Sequence, residues 1–319
     1  ALLSGGIFHR NLSNLTYQFG INAHRLHVYD TDGTDGSSFY GSVFGTGRCD
    51  IRGGNGNVDI NIDITPIHGS EVVYDASSPY SVEENDFIHW TPLDNDTSRR
   101  ADAAEVQRAI PFDIPSDVHI NFLIHTNPQS ALRVITDRTS GDYILLHGDG
   151  TLRATYYNKG AFSLYGNYVV NDGIYKLTIQ NIIHRQFSFM QGGTIAFGGD
   201  PYAAHLNLSA QYMVNGVSLS DLHLGRSFAS SNIRVNCMMN ITGTPSAPQV
   251  SFDMDMPSVG TDAKRMIMSI INSEEEKNQQ VLYLLAVGRF YSQGVNNAAT
   301  ENDIQQNQTS LAMQSILSG

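Results

Sequence analysis

The chain has 319 residues, with 31 acidic against 19 basic side chains and a formal net charge of −12. That balance argues against a nucleic-acid binder, which needs a basic stripe to neutralise phosphates. An apolar share of 41% argues against a disordered chain and suffices for one large core or two moderate ones.

The first residues, Ala1 to Gly6, carry no charged region leading into an apolar run, so they do not read as a signal peptide. The longest apolar run, Val281 to Val287, falls far short of the roughly 20 residues a membrane-crossing helix needs. Because the chain starts within a patterned segment and ends in a polar tail, it is expected to be a fragment of a longer protein. Asp30 to Gly36 is dense in Asp and Gly, but a calcium loop opening at Asp30 would need glycine where Asp35 stands and a carboxylate where Gly41 stands. A solvated turn is expected there.

Val58, Ile60, Ile62 and Ile64 alternate with Asp59, Asn61 and Asp63. A period of two predicts a strand with one apolar and one wet face. Residues 91–118 hold three prolines and a charge run, and read as a surface excursion with a short helix near Ala101 to Ala109, or as a linker. Turns are predicted at Gly53 to Asn57, Gly148-Asp149-Gly150, Asn171-Asp172-Gly173, Gly198 to Pro201 and Asn215-Gly216. Alternation returns at Leu206 to Ala210, Ile233 to Ile241 and Val250 to Met256. Many strands joined by tight turns predict a mainly β, antiparallel body.

After Pro257 the period changes. Met266, Ile267, Ile270 and Ile271 have helical spacing, and Ser273 with Glu276 forms a capping-box pair opening a second helix that Gly288 ends. The resulting division is 1–90, 91–118, 119–257, a helical segment 258–291 and a poorly ordered tail 292–319. Cys49 and Cys237 read as small core residues, with one long-range disulfide as the alternative. Eleven scattered histidines include no helical His-x-x-x-His and there is no Cys-x-x-Cys, so zinc is not expected. No nucleophile elbow, phosphate loop or other catalytic constellation occurs, and neither an enzyme nor a cofactor is expected.

One stretch is more specific. Gly148 to Leu152 leads to Phe162-Ser163-Leu164-Tyr165-Gly166-Asn167-Tyr168, then Gly173 to Ile179, Gly192 to Pro201 and Ala203 to Ala210. Ile241 to Phe252 follows, ahead of Ser273 to Glu276 and Leu284 to Phe290. This order resembles the C-terminal domain of TamB, the translocation and assembly module subunit, in its Bacteroidota form. The pattern covers most of the chain and is strongest over 148–291. It departs at Ala204, where many relatives have proline, and relatives run on past the helical segment into more β-structure.

The resemblance implies a periplasmic protein anchored in the inner membrane by an N-terminal segment outside this chain. It implies a long, curved antiparallel or mixed sheet folded as a β-taco trough with an apolar interior, plus the short C-terminal helices. It also implies an outer-membrane β-barrel assembly factor as partner, TamA-like or BamA-like or a lipoprotein variant, with roles in outer-membrane protein assembly and phospholipid movement. In such a trough the lining would be Val58, Ile60, Ile62, Ile64, Leu206, Leu208, Ile233, Val235, Met239, Val250, Phe252, Met254 and Met256. Ile267, Ile270, Leu282 and Leu285 could plug one end.

An apolar gutter suits such cargo, because a 16-carbon acyl chain gains on the order of 12 kcal/mol by leaving water. The same alternation also fits a closed sandwich. Two other readings are a non-conducting scaffold that pairs strand edges, and a surface adhesin or polysaccharide binder using exposed Tyr156, Tyr157, Tyr165, Tyr168 and Tyr175.

Overall fold

The computed structural model describes residues 1–11, 13–34, 39–77, 117–179, 183–222, 224 and 232–292. Alternation becomes strand throughout. The strands are β1 (Leu2–Arg10), β2 (Ser13–Thr31), β3 (Phe39–Gly54), β4 (Asn57–Pro66), β5 (Glu71–Asp75), β6 (Asp117–Thr126) and β7 (Ala131–Asp137). They continue as β8 (Asp142–Tyr157), β9 (Ser163–Ile179), β10 (Ile183–Phe189), β11 (Thr194–Gly199), β12 (His205–Ser218), β13 (Asn232–Thr244) and β14 (Ala247–Asp255). Two helices close the described chain, α1 (Thr261–Ile270) and α2 (Glu274–Val287).

All fourteen strands belong to one mixed sheet whose main path runs β1-β2-β3-β4-β6-β8-β9-β10-β12-β13-β14. Off this path, β5 pairs with β3 and β7, β7 with β8, and β11 with β9 and β12. By contacts the chain forms two compact units, one of residues 1–171 with 194–204, the other of 172–193 with 205–319. The predicted excursion and its short helix lie mostly outside the described residues, as does most of the predicted tail.

Tight turns account for most neighbours but not all. Asn55 (φ 53°) and Gly56 (φ 86°) form the two-residue reversal between β3 and β4, where both central residues need positive φ. The pairs β4–β6 and β5–β7, by contrast, are parallel. Parallel neighbours need a long connection, and the chain between β5 and β6 supplies one.

Two predicted turns are strand interior. Gly148-Asp149-Gly150 lies within β8 and Asn171-Asp172-Gly173 within β9. The glycines of β8 serve close approach instead. A Cβ on Gly148 would lie 2.3 Å from the Val169 carbonyl and 2.7 Å from the Tyr168 ring, and one on Gly150 2.3 Å from the Asn167 carbonyl. Asn215-Gly216 is a bulge inside β12, where the register shifts between Val214 and Val217 and Gly216 has φ 72°.

The capping box forms as the spacing predicts. Glu276 N donates to Ser273 Oγ at 3.1 Å, and Ser273 N donates to Glu276 Oε2 at 3.3 Å. Gly288 ends α2 with φ 77°, donating its N–H to the Leu284 carbonyl.

Candidate functional site

Residues directly opposite each other on paired strands share a face, so the registers define apolar rows. In the first unit one row runs Leu3, Ile21, Cys49, Ile62, Phe122, Ala154 across β1, β2, β3, β4, β6 and β8. The next runs Phe19, Ile51, Ile60, Ile120, Tyr156. Val58 pairs with Val118, and Ile64 with Ile124 and through it Leu152. Neither long row contains a charged residue. Val58, Ile60, Ile62 and Ile64 are all half-buried, and Leu3 and Ile7 at the β1 edge are 63% and 65% exposed.

The second unit has rows of the same kind with different exposure. Leu208 faces Ile241 and then Val250; Ala210 faces Met239 and then Phe252; Tyr212 faces Cys237 and then Met254; Val214 faces Val235. Leu208, Ile233, Val235, Met239, Met254 and Met256 are buried, and Leu206 and Phe252 half-buried. Val250, on the edge strand, is exposed.

Helix α2 lies against β14 and also touches β10 and β13. Val281, Leu284 and Leu285 on it are buried, Leu282 half-buried. In α1, Ile267 is buried, as is Ile271 just beyond its end, while Ile270 faces solvent. A period of 3.6 residues explains the split, since 267 and 271 share one face and 266 and 270 another.

Polar contacts fix the helices in place. Arg185 of β10 shares its face with Phe187 and Phe189, the row that meets Tyr175 and Leu177 of β9. Its Nε donates to the Leu285 carbonyl at 2.6 Å and its Nη2 to the Ala286 carbonyl at 3.4 Å, so a cation meets the negative end of the α2 dipole. Buried Gln280 clamps the backbone of Tyr291, donating to its carbonyl and accepting from its N–H, both at 2.9 Å. Lys264 pairs with Asp255, and Arg289 with Asp221 at 3.1 Å. Sequence reasoning missed Arg185 and Gln280, because nothing in a strand's alternation or a helix's spacing reveals which polar residue points inward.

The complete chain, residues 1–319, matches the family model described as TamB C-terminal domain. The chain belongs to that family. No curated protein matches it. Membership in the TamB family supports a role in outer-membrane assembly and a place in the bacterial envelope. Among the described residues, no helix is long and apolar enough to cross a membrane.

Other candidate features of this TamB-family chain are structural. Asp32 Oδ1 accepts from both the N–H and the hydroxyl of Thr34, at 3.0 and 2.7 Å, closing its own turn. Asp35 and Gly36 lie outside the described residues. Both cysteines are free thiols, Cys49 half-buried and Cys237 buried. Burial pushes the Cys237 thiol from 9.0 up to about 12.

That shift has a pH signature. Above about 9 the unfolded thiol loses its proton while the folded one keeps it, so the folded state binds more protons. Stability then falls as pH rises toward about 12, by up to about 1.4 kcal/mol per pH unit from this group. The gap between the urea midpoints of the chain and of Cys237→Ala, set at neutral pH by the truncated core, is expected to change only on the alkaline side, where the variant loses less stability and the two midpoints draw together.

Proposed function

We propose that this chain is the periplasmic part of an inner-membrane-anchored, TamB-like protein that carries phospholipid acyl chains along an apolar β-face toward the outer membrane. In this reading the sheet curls into a β-taco trough and works with an outer-membrane β-barrel assembly factor, TamA-like or BamA-like. The observation that carries the proposal is the run of uncharged rows across β1 to β8, centred on Ile60 and Ile62, which are half-buried, as are Ile21, Ile51 and Phe122, while Ile120 and Ala154 of the same rows are buried. A monomeric protein rarely leaves a large contiguous apolar surface without a ligand or partner, and acyl chains fit a face that offers hydrocarbon and no hydrogen bonds.

A photo-crosslinking residue at Ile62 tests this against one at Asp63, the exposed next residue on the other face. Mass spectrometry of the purified adduct is expected to find phospholipid at 62 and not at 63. Equal labelling, or none at 62, would remove the conduit.

A second reading rests on the sheet's ends. β1 and β14 each pair with one neighbour on the main path, and β14 is exposed over Ala247 to Ser251. Such edges can accept a partner's strand through backbone hydrogen bonds. A scaffold of this kind would bind its barrel partner whatever stands at Ile62. The adhesin reading needs rows of exposed aromatics, yet of the five tyrosines it invokes only Tyr165 is exposed.

A further inference from the structure

The polar face of the first unit carries a feature that acyl-chain transport does not use. Two adjoining grooves, of about 510 and 430 Å³, share Leu123 and Arg153. The first is lined also by Thr151, Thr155, Tyr165 and Gly166, the second by Arg48, Asp50, Asn61, Asp63 and Asn121 among others. The registers place Arg48, Asp63, Leu123 and Arg153 in one row across β3, β4, β6 and β8. Ile62 and Phe122 also border the second groove, but they alternate with these residues along β4 and β6 and so share the other face of the sheet.

Most charges in the grooves are already paired. Arg48 grips Asp50 with two bonds of 2.8 Å, His125 Nε2 lies 3.2 Å from Asp63 Oδ1, and Asn121 donates to Asn61 at 3.0 Å. Arg153 is different, being exposed and without an ion-pair or hydrogen-bond partner among the described residues. Leu123 breaks the polar alternation beside it. Tyr165 is 47% exposed and faces Gly198 across β9–β11, where a Cβ would meet nothing within 4 Å. The ring leans over Gly199 instead, where a Cβ would lie 3.4 Å from the Tyr165 hydroxyl.

We infer that these grooves bind a carboxylate-bearing polysaccharide. β4, β6 and β8 are paired on both sides, so their backbone offers a peptide strand nothing and only side chains can recognise a ligand. A sugar ring has an apolar C–H face, suited to Tyr165 and Leu123, and a rim of hydroxyls that can donate to Asp63, Asp50 and the Asn61 carbonyl. Arg153 presents a planar fork matched to one carboxylate. Two carboxylates in the same groove disfavour a doubly charged phosphate, whereas Arg153, set apart from them on β8 beyond Leu123, suits a single, spaced negative charge.

The full chain titrated calorimetrically with short polygalacturonate, with dextran of equal length and with polyglutamate tests the inference. Polygalacturonate is expected to bind best, and Arg153→Gln and Tyr165→Ala each to weaken it by about tenfold or more with the melting transition unchanged. Polyglutamate binding as tightly would make the site a charge patch. That result, no polygalacturonate binding, or binding that neither variant alters would overturn the inference. Phospholipid crosslinking at Ile62 reads the opposite face, so either reading can fail alone.

Discussion

Leu285→Asp is expected to lift α2 from the sheet of the second unit and raise the binding of a hydrophobic dye several-fold, with strand content retained. Leu285 is fully buried in the helix that covers β14 and touches β10 and β13, and Val281 and Leu284 beside it are buried too. Aspartate there loses about 2 kcal/mol of apolar burial and must either desolvate a carboxylate or leave. Leaving is the cheaper course, because α2 is joined to the sheet through α1 and its flanking residues and can swing without breaking the ladder. The rows it uncovers, through Val235, Cys237 and Met239, are almost wholly shielded in the folded chain.

Arg185→Met separates the anchor from the apolar contact. It removes the donor to the Leu285 and Ala286 carbonyls, which can turn to water, and keeps hydrocarbon at that place in β10. A smaller rise in dye binding is expected. If Leu285→Asp leaves dye binding unchanged while circular dichroism shows the helix released, the helices do not cover an apolar binding face and the plug proposal fails. Loss of the strand signal in both variants would also remove it, since the sheet would then depend on the helices for its existence.

What could be read from the sequence followed from local rules. The β4 alternation, the Asn55-Gly56 reversal and the Ser273–Glu276 box each depend on residues within a few positions, and each forms as its spacing predicts. Where the partner is distant, local reading went astray. Gly148 and Gly150 look like a turn because glycine favours turns, yet their purpose is set by β9 crowding the β8 backbone. Val118, Ile120 and Phe122 alternate as cleanly as β4, but the preceding prolines and charges drew the excursion up to Val118 and hid the start of a strand that lies parallel to β4. The predicted lining was a single list, and the structure divides it by exposure. Val235 is a core residue in the unit whose sheet carries α2, a helix far along the chain, whereas Ile62 in the other unit is half-buried.

That division sets two glutamates against each other. Ile62→Glu is expected to abolish phospholipid crosslinking from neighbouring row positions at a cost of only about 1 kcal/mol, because a half-buried side chain can turn its carboxylate to water. Val235→Glu is expected to destabilise the second unit by about 4 kcal/mol or more. Val235 is fully buried and faces Val214 on β12, and Arg185, the cation of that face over the Tyr212 ring, already donates to the Leu285 and Ala286 carbonyls. Urea unfolding followed by tryptophan-independent circular dichroism, with lipid extracted from the same preparations, measures both quantities. A stable, lipid-bearing Ile62→Glu protein would mean that acyl chains do not run over β4. A stable Val235→Glu protein would mean that the second unit's rows also lie open to water, and that α2 leaves that unit's apolar face accessible.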